Sequence, residues 1–194
     1  MRAIVSRMRD LAAIALGLGL IAATPGRVPE PDGLWQGPMR GYTPNTIAGG
    51  TVLDTAALAK LLEAGKPVLV DVSLVDVKPP SMAPGTPWLP VHRTIPGAIW
   101  LPGAGAGSAD PQFAERFKSR LAELTGGDAG RAVVTFCHPE CWGSWNAAKR
   151  LVGLGYAHVY WYPDGMEGWQ ADHDVAAVEA DPAWAAGNPP DRPQ

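Results

Sequence analysis

Cys137 and Cys141 are the only two cysteines in this chain of 194 residues. They stand in Phe136-Cys-His-Pro-Glu-Cys-Trp142, between an apolar strand-like run and a helix-like one. A cysteine at the mouth of such a turn faces the amide groups of the helix start, which stabilise a thiolate, a persulfide or another anion. These residue types open three chemistries. In the redox one, Cys137 is the nucleophile, its pKa lowered by the helix start and by His138 when protonated. Cys141 then resolves the mixed disulfide or persulfide. In the second, Cys137 and Cys141 form a small-loop disulfide, for which stability alone is a weak motive because so short a loop yields little chain entropy. In the third, Cys137, Cys141 and His138 hold a metal, since two thiolates and an imidazole suit Cu(I), and His92 approaches from a distant loop. A c-type haem is excluded because no C-x-x-C-H occurs, and no cofactor is assigned.

The flanking sequence predicts the elements that must position this loop. Pro67-Val-Leu-Val-Asp-Val72 is nearly all apolar, as a parallel strand buried on both faces requires. Ala132–Phe136 is the strand leading into Cys137, and Ser144 is expected to cap the following helix through Ala147, Ala148, Leu151 and Leu154 to Gly155. Thr51–Leu53 and His158–Tyr162 read as further strands. Asp54 or Thr55 caps a helix that Gly65 ends, and Asp110-Pro111 starts another with Phe113, Phe117, Leu121 and Leu124 on one face. Residues 73–94 form a long, proline-rich loop without periodicity, of the kind that is usually functional. Strands alternating with helices predict an α/β domain with a largely parallel sheet, whose ligands bind beyond the carboxyl ends of the strands, where Cys137 falls.

The ends of the chain carry other signals. Arg2, Arg7 and Arg9 precede an apolar run from Leu11 to Ala23, then Thr24-Pro-Gly-Arg27, the pattern of a secretory signal peptide over residues 1–24. The expected organisation is therefore a signal, an irregular arm over 25–50, one domain over 51–173 and a loose tail over 174–194. Removing three arginines and Asp10 takes the net charge from −3 to −5. That balance excludes nucleic acid and an anionic membrane surface as partners of the mature chain. Export to the periplasm places the thiol pair in an oxidising compartment.

Four features resemble the rhodanese family: Val70-Asp71-Val72, the Ile95-Pro-Gly-Ala98 turn, the strand–Cys–loop–helix unit, and the closing strand with its Gly-rich turn and Trp169. The resemblance implies a three-layer domain with a central, mostly parallel sheet flanked by helices, and a sulfane sulfur carried as a persulfide on Cys137. Cys141-Trp142, Ser144-Trp-Asn-Ala-Ala148 and Trp161-Tyr-Pro-Asp-Gly165 resemble the pyrroloquinoline quinone (PQQ)-dependent catabolism-associated CXXCW motif proteins, although the spacing here is C-x3-C. That resemblance implies an accessory role beside a periplasmic quinoprotein dehydrogenase or its cytochrome c. Related sulfurtransferases and phosphatases place an arginine in this loop to bind a dianion. Here the loop has none and carries Glu140, which disfavours thiosulfate and phosphate. Arg93 is either the source of the missing charge or an ordinary surface arginine. Gly143 and Ser144 line the site, and Asp71 holds loop amides. One of Trp142 and Trp145 packs inward while the other offers an apolar patch to a partner. The competing class is a binding protein without turnover: a copper carrier or an assembly module.

Overall fold

The computed structural model describes residues 28–186, so the basic and apolar run read as a signal lies outside the described residues. The elements in chain order are β1 (Thr51–Val52), α1 (Thr55–Ala64), β2 (Val68–Asp71), β3 (Arg93–Thr94), β4 (Ile99–Trp100), α2 (Pro111–Thr125), β5 (Val133–Phe136), α3 (Trp142–Gly153), β6 (Val159–Tyr162), α4 (Gly165–Gln170), β7 (Ala176–Ala177) and α5 (Pro182–Ala185). Five strands form a parallel sheet in the order β1-β6-β5-β2-β4. The fold is therefore the expected rhodanese-like α/β architecture, a central parallel sheet between two helical layers.

The apolar strands β2 and β5 lie side by side at the centre, every residue buried. Their side chains alternate between faces, as the pleat requires. Val68, Val70 and Val133 join the core under α2, α3 and α5. Leu69, Val134 and Phe136 join the core under α1 and α4. The register matters most at the carboxyl edge. Asp71 is paired with Phe136, and Phe136 with Tyr162, so the segments after β2, β5 and β6 leave the sheet together.

The helix caps follow from the sequence at two of three places. Asp54 accepts the Ala57 amide to cap α1, and Asp110 accepts the Gln112 amide, with Pro111 in the first turn of α2. The third differs: α3 begins at Trp142, with Cys141 at the N-cap. Ser144 lies one turn inside instead, buried, its hydroxyl accepting from the Trp161 indole at 3.0 Å. Ser144 already lies within the helix, and its hydroxyl serves the buried indole in place of a helix start.

The arm is irregular but tightly held. Trp35 stacks on Trp142 at 4.3 Å. The buried Asn146 amide accepts the Trp35 N–H at 2.8 Å and donates to the Trp35 and Gly105 carbonyls at 2.9 and 3.1 Å. Trp142 and Trp145 are both buried, so neither offers the apolar patch expected of one of them. Exposed apolar surface lies on the loop after β2 instead, at Leu74, Val77, Leu89 and Val91.

The described part of the tail, residues 174–186, is also more ordered than its Ala, Pro and Asp composition suggests. β7 pairs antiparallel with β3, and Asp181 caps α5. Trp184 is fully buried, set edge-on to Phe113, and its indole donates to the Pro102 carbonyl at 2.8 Å. Asp181 also pairs with Arg120 at 2.6 Å. One large anchor decides the matter, and composition averages it away. Trp184→Ala is expected to cost about 3–5 kcal/mol of unfolding free energy. Urea denaturation checks this, and an unchanged midpoint would mean that the anchor holds nothing.

Candidate functional site

Strand β5 delivers Cys137 at the carboxyl edge of the sheet, and the loop 138–140 turns the chain into α3. Glu140 makes that turn possible by adopting φ 52°, alone among the described non-glycine residues in having positive φ. The arm runs antiparallel along this loop. The Trp142 amide donates to the Met39 carbonyl at 2.8 Å, and the Gly41 amide donates to the Glu140 carbonyl at 2.9 Å. Arg40 and Cys141 face each other in this bridge. On the other side, Gly165 adopts φ 61°, and a Cβ there would meet the Cys137 carbonyl at 2.6 Å. The Met166 amide donates to that same carbonyl at 2.9 Å. The Asp164-Gly165 turn thus braces the cysteine loop as well as ending β6.

The two thiols are unequal. Cys137 has no exposed surface. Burial pushes its pKa well above the ordinary thiol value, with the Cys141 hydrogen bond and charge adding to the effect. Cys141 is partly exposed at the start of α3. Its pKa is drawn down to about 6, first by the hydrogen bond from the Cys137 thiol, against an opposing push from burial. The Gly143 and His138 amides donate to it, and Arg40 adds a positive charge. The expected amides therefore serve both thiols: those of Gly143 and His138 reach Cys141, while the Ser144 amide and hydroxyl reach Cys137, where burial outweighs them. The lower pKa thus belongs to Cys141 and the raised one to Cys137.

A cleft of about 530 Å³ opens at Cys141. Its walls are the arm from Gln36 to Arg40, the start of the loop after β2 at Val72 and Leu74–Val77, and a small-residue segment over residues 103–109. His138, Cys141 and Gly143 belong to its lining, whereas Cys137 and Glu140 do not. The Glu140 side chain is exposed, so its carboxylate does not guard the cleft as the sequence suggested. The small segment has a steric cause: a Cβ on Gly105 would overlap the Gly143 carbonyl, and one on Gly107 would overlap that of Trp35.

Other predicted residues are placed elsewhere. Asp71 is fully buried and structural, accepting from the Ser73 amide, the Thr94 hydroxyl and the His92 ring at 2.8, 2.7 and 2.8 Å. His92 also stacks on Trp100 at 3.8 Å, so it belongs to this buried network and not to the cysteines. Arg93 is exposed on β3, its backbone paired with Ala177. It does not line the cleft; the cation there is Arg40. His138 pairs through Nδ1 with Glu167 at 2.8 Å. Among the described residues, no three His, Cys, Asp or Glu side chains are grouped as a metal ion needs. Arg40 has no local signal in the sequence: it lies 99 residues from the Pro139 carbonyl to which it donates.

Residues 54–172 match the rhodanese-like domain family model. A search of curated proteins returns no match. Among solved structures, a thiosulfate sulfurtransferase from Pseudomonas aeruginosa is 21% identical, with a TM-score of 0.46 over 69% of this chain and 21% of its own. The chain thus spans about a fifth of that protein's length. An uncharacterized protein from Saccharomyces cerevisiae is 21% identical, with a TM-score of 0.37 over 62% of this chain and 91% of its own. A Bacillus halodurans protein is 22% identical, with a TM-score of 0.41 over 68% of this chain and 82% of its own. The family match covers most of the chain and includes both the parallel sheet and the cysteine loop at its carboxyl edge, and on that ground the chain belongs to the rhodanese-like domain family.

Proposed function

We propose that this is an exported accessory protein of PQQ-dependent alcohol oxidation that performs two-thiol redox or sulfane-sulfur chemistry, with Cys141 attacking and Cys137 resolving. One observation carries the chemistry: the thiol that opens to the cleft is also the acidic one, while its neighbour is buried and protonated. A thiolate is the nucleophile in disulfide exchange, and a nearby thiol completes the reaction without leaving the site.

The steps follow from these positions. The Cys141 thiolate attacks one sulfur of R–S–S–R′, forming Cys141–S–S–R and releasing R′–S⁻, which takes a proton from solvent. Cys137 loses its proton and attacks the Cys141 sulfur, releasing R–S⁻ and leaving the Cys137–Cys141 disulfide. With a persulfide donor R–S–SH, the same attack on the outer sulfur yields a persulfide on Cys141 and R–S⁻. The product disulfide joins this reading to the disulfide read from the sequence.

Export is supported by the basic and apolar N-terminal run. The place beside a quinoprotein dehydrogenase or its cytochrome c is supported by Cys141-Trp142, Ser144–Ala148 and Trp161–Gly165, the segments that resemble the CXXCW proteins. Cys137→Ser is expected to trap a mixed disulfide on Cys141, seen as added mass in the intact protein, while Cys141→Ser traps none. Trapping by Cys141→Ser instead returns the attacking role to Cys137. For the cellular role, loss of this protein is expected to slow PQQ-dependent alcohol oxidation in periplasmic extracts, and an unchanged rate removes that assignment.

A further inference from the structure

We propose that the cleft beside Cys141 takes a low-molecular-weight organic disulfide bearing a carboxylate, which Arg40 pairs while the Cys141 sulfur attacks the disulfide. The proposal rests on the two-thiol reading and adds the substrate class. Three observations support it. The cleft, at about 530 Å³, has the volume of sites that enclose drug-sized ligands, and a small inorganic donor such as thiosulfate would leave it mostly empty. Its walls are largely apolar, with Met39, Val72, Leu74, Val75 and Val77 among the lining, so an organic body gains by entering. Arg40 is the permanent cation of that lining.

Arg40 is also free for the task. It donates from Nη1 to the Pro139 carbonyl at 3.3 Å, and it forms no ion pair with a carboxylate among the described residues. A guanidinium presents five N–H donors in a planar fork, so the single bond to Pro139 leaves donors for a bidentate carboxylate. The bridge that sets Arg40 opposite Cys141 fixes the anion close to the reacting sulfur. Asp76 is the carboxylate of the lining, carried on the loop after β2 and not on the arm.

In the exchange, Cys141 forms a bond to one sulfur of the disulfide and the other sulfur leaves with the electron pair of the broken bond. Cys137 then displaces the remaining thiolate, as described above. The substrate is thereby reduced to two thiols, and the protein is oxidised to its Cys137–Cys141 disulfide.

The test compares initial rates of the full-length protein on oxidised glutathione, on neutral bis(2-hydroxyethyl) disulfide and on thiosulfate, with dithiothreitol regenerating the thiols. Work at pH 8 keeps Cys141 ionised in every variant that retains its acidity. Arg40→Gln is expected to lower kcat/KM for oxidised glutathione about threefold to fivefold more than for the neutral disulfide, the scale of one charge-assisted contact at an exposed guanidinium. Arg40→Lys restores part of that selectivity, and added salt erodes it in the wild type. Equal losses on both disulfides overturn the carboxylate assignment and leave the two-thiol reading standing. Preference of the wild type for thiosulfate over both also overturns it. No turnover of either disulfide overturns this proposal and the disulfide-exchange form of the two-thiol reading together.

Discussion

Cys141→Ser is expected to remove the fast-reacting thiol of this protein, and Cys137→Ser to leave it. The measurement is alkylation by iodoacetamide against pH. With Cys141 at about 6, the thiolate fraction rises as pH climbs toward 6 and saturates above it. The rate therefore increases about tenfold per unit below pH 6 and is flat from about pH 7 upward. The absolute gain is smaller than the thiolate fraction implies, because nucleophilicity falls with pKa. A Brønsted slope of about 0.4–0.5 over three units removes roughly twentyfold. At pH 7 Cys141 therefore exceeds an ordinary thiol by only several-fold, whereas at pH 6 the excess is about twentyfold. The position of the plateau, more than the rate, identifies the residue. Removing the Cys137 donor with Cys137→Ala takes away the largest stabilising contact of the Cys141 thiolate, so the plateau moves to higher pH. A profile that is unchanged by Cys137→Ala would mean that the two thiols do not interact.

Asp71→Ala is expected to cost about 3–5 kcal/mol, a large share of a total stability of about 5–15 kcal/mol. The carboxylate is fully buried and satisfies three donors, and its loss leaves the Ser73 amide, the Thr94 hydroxyl and the His92 ring without it. Unpaired buried donors keep their full desolvation cost. There is also a local consequence. Ser73 opens the long loop after β2, and His92 and Thr94 close it, so Asp71 ties both ends of the segment that carries Leu74–Val77 along the cleft. Urea denaturation reads the global loss, and limited proteolysis within residues 74–91 reads the loosened loop. A change under about 1 kcal/mol with an unaltered cleavage pattern would mean that the network is dispensable.

The fold was legible because its signals are local. The unbroken apolar runs of β2 and β5, the Asp54 and Asp110 caps, and the spacing of Phe113, Phe117 and Leu121 each fix an element from neighbours in the chain. The Ser144 cap was misread because a hydroxyl suits a helix start equally well whether or not a buried indole claims it. The order of residues 174–186 was not legible because Trp184 and Asp181 act through Phe113, Pro102 and Arg120, which are distant in sequence.

By itself the sequence determined that this is a parallel α/β domain with a cysteine pair at the carboxyl edge of its sheet. It also determined that the cysteine loop contains no arginine. What only the tertiary structure decided is which thiol is buried, which opens to the cleft, and where the positive charge beside it originates. A pKa depends on burial and on charges within a few ångströms, and those are set by contacts across the fold. The arm supplies Arg40, the sheet buries Cys137, and the start of α3 holds Cys141 at the cleft.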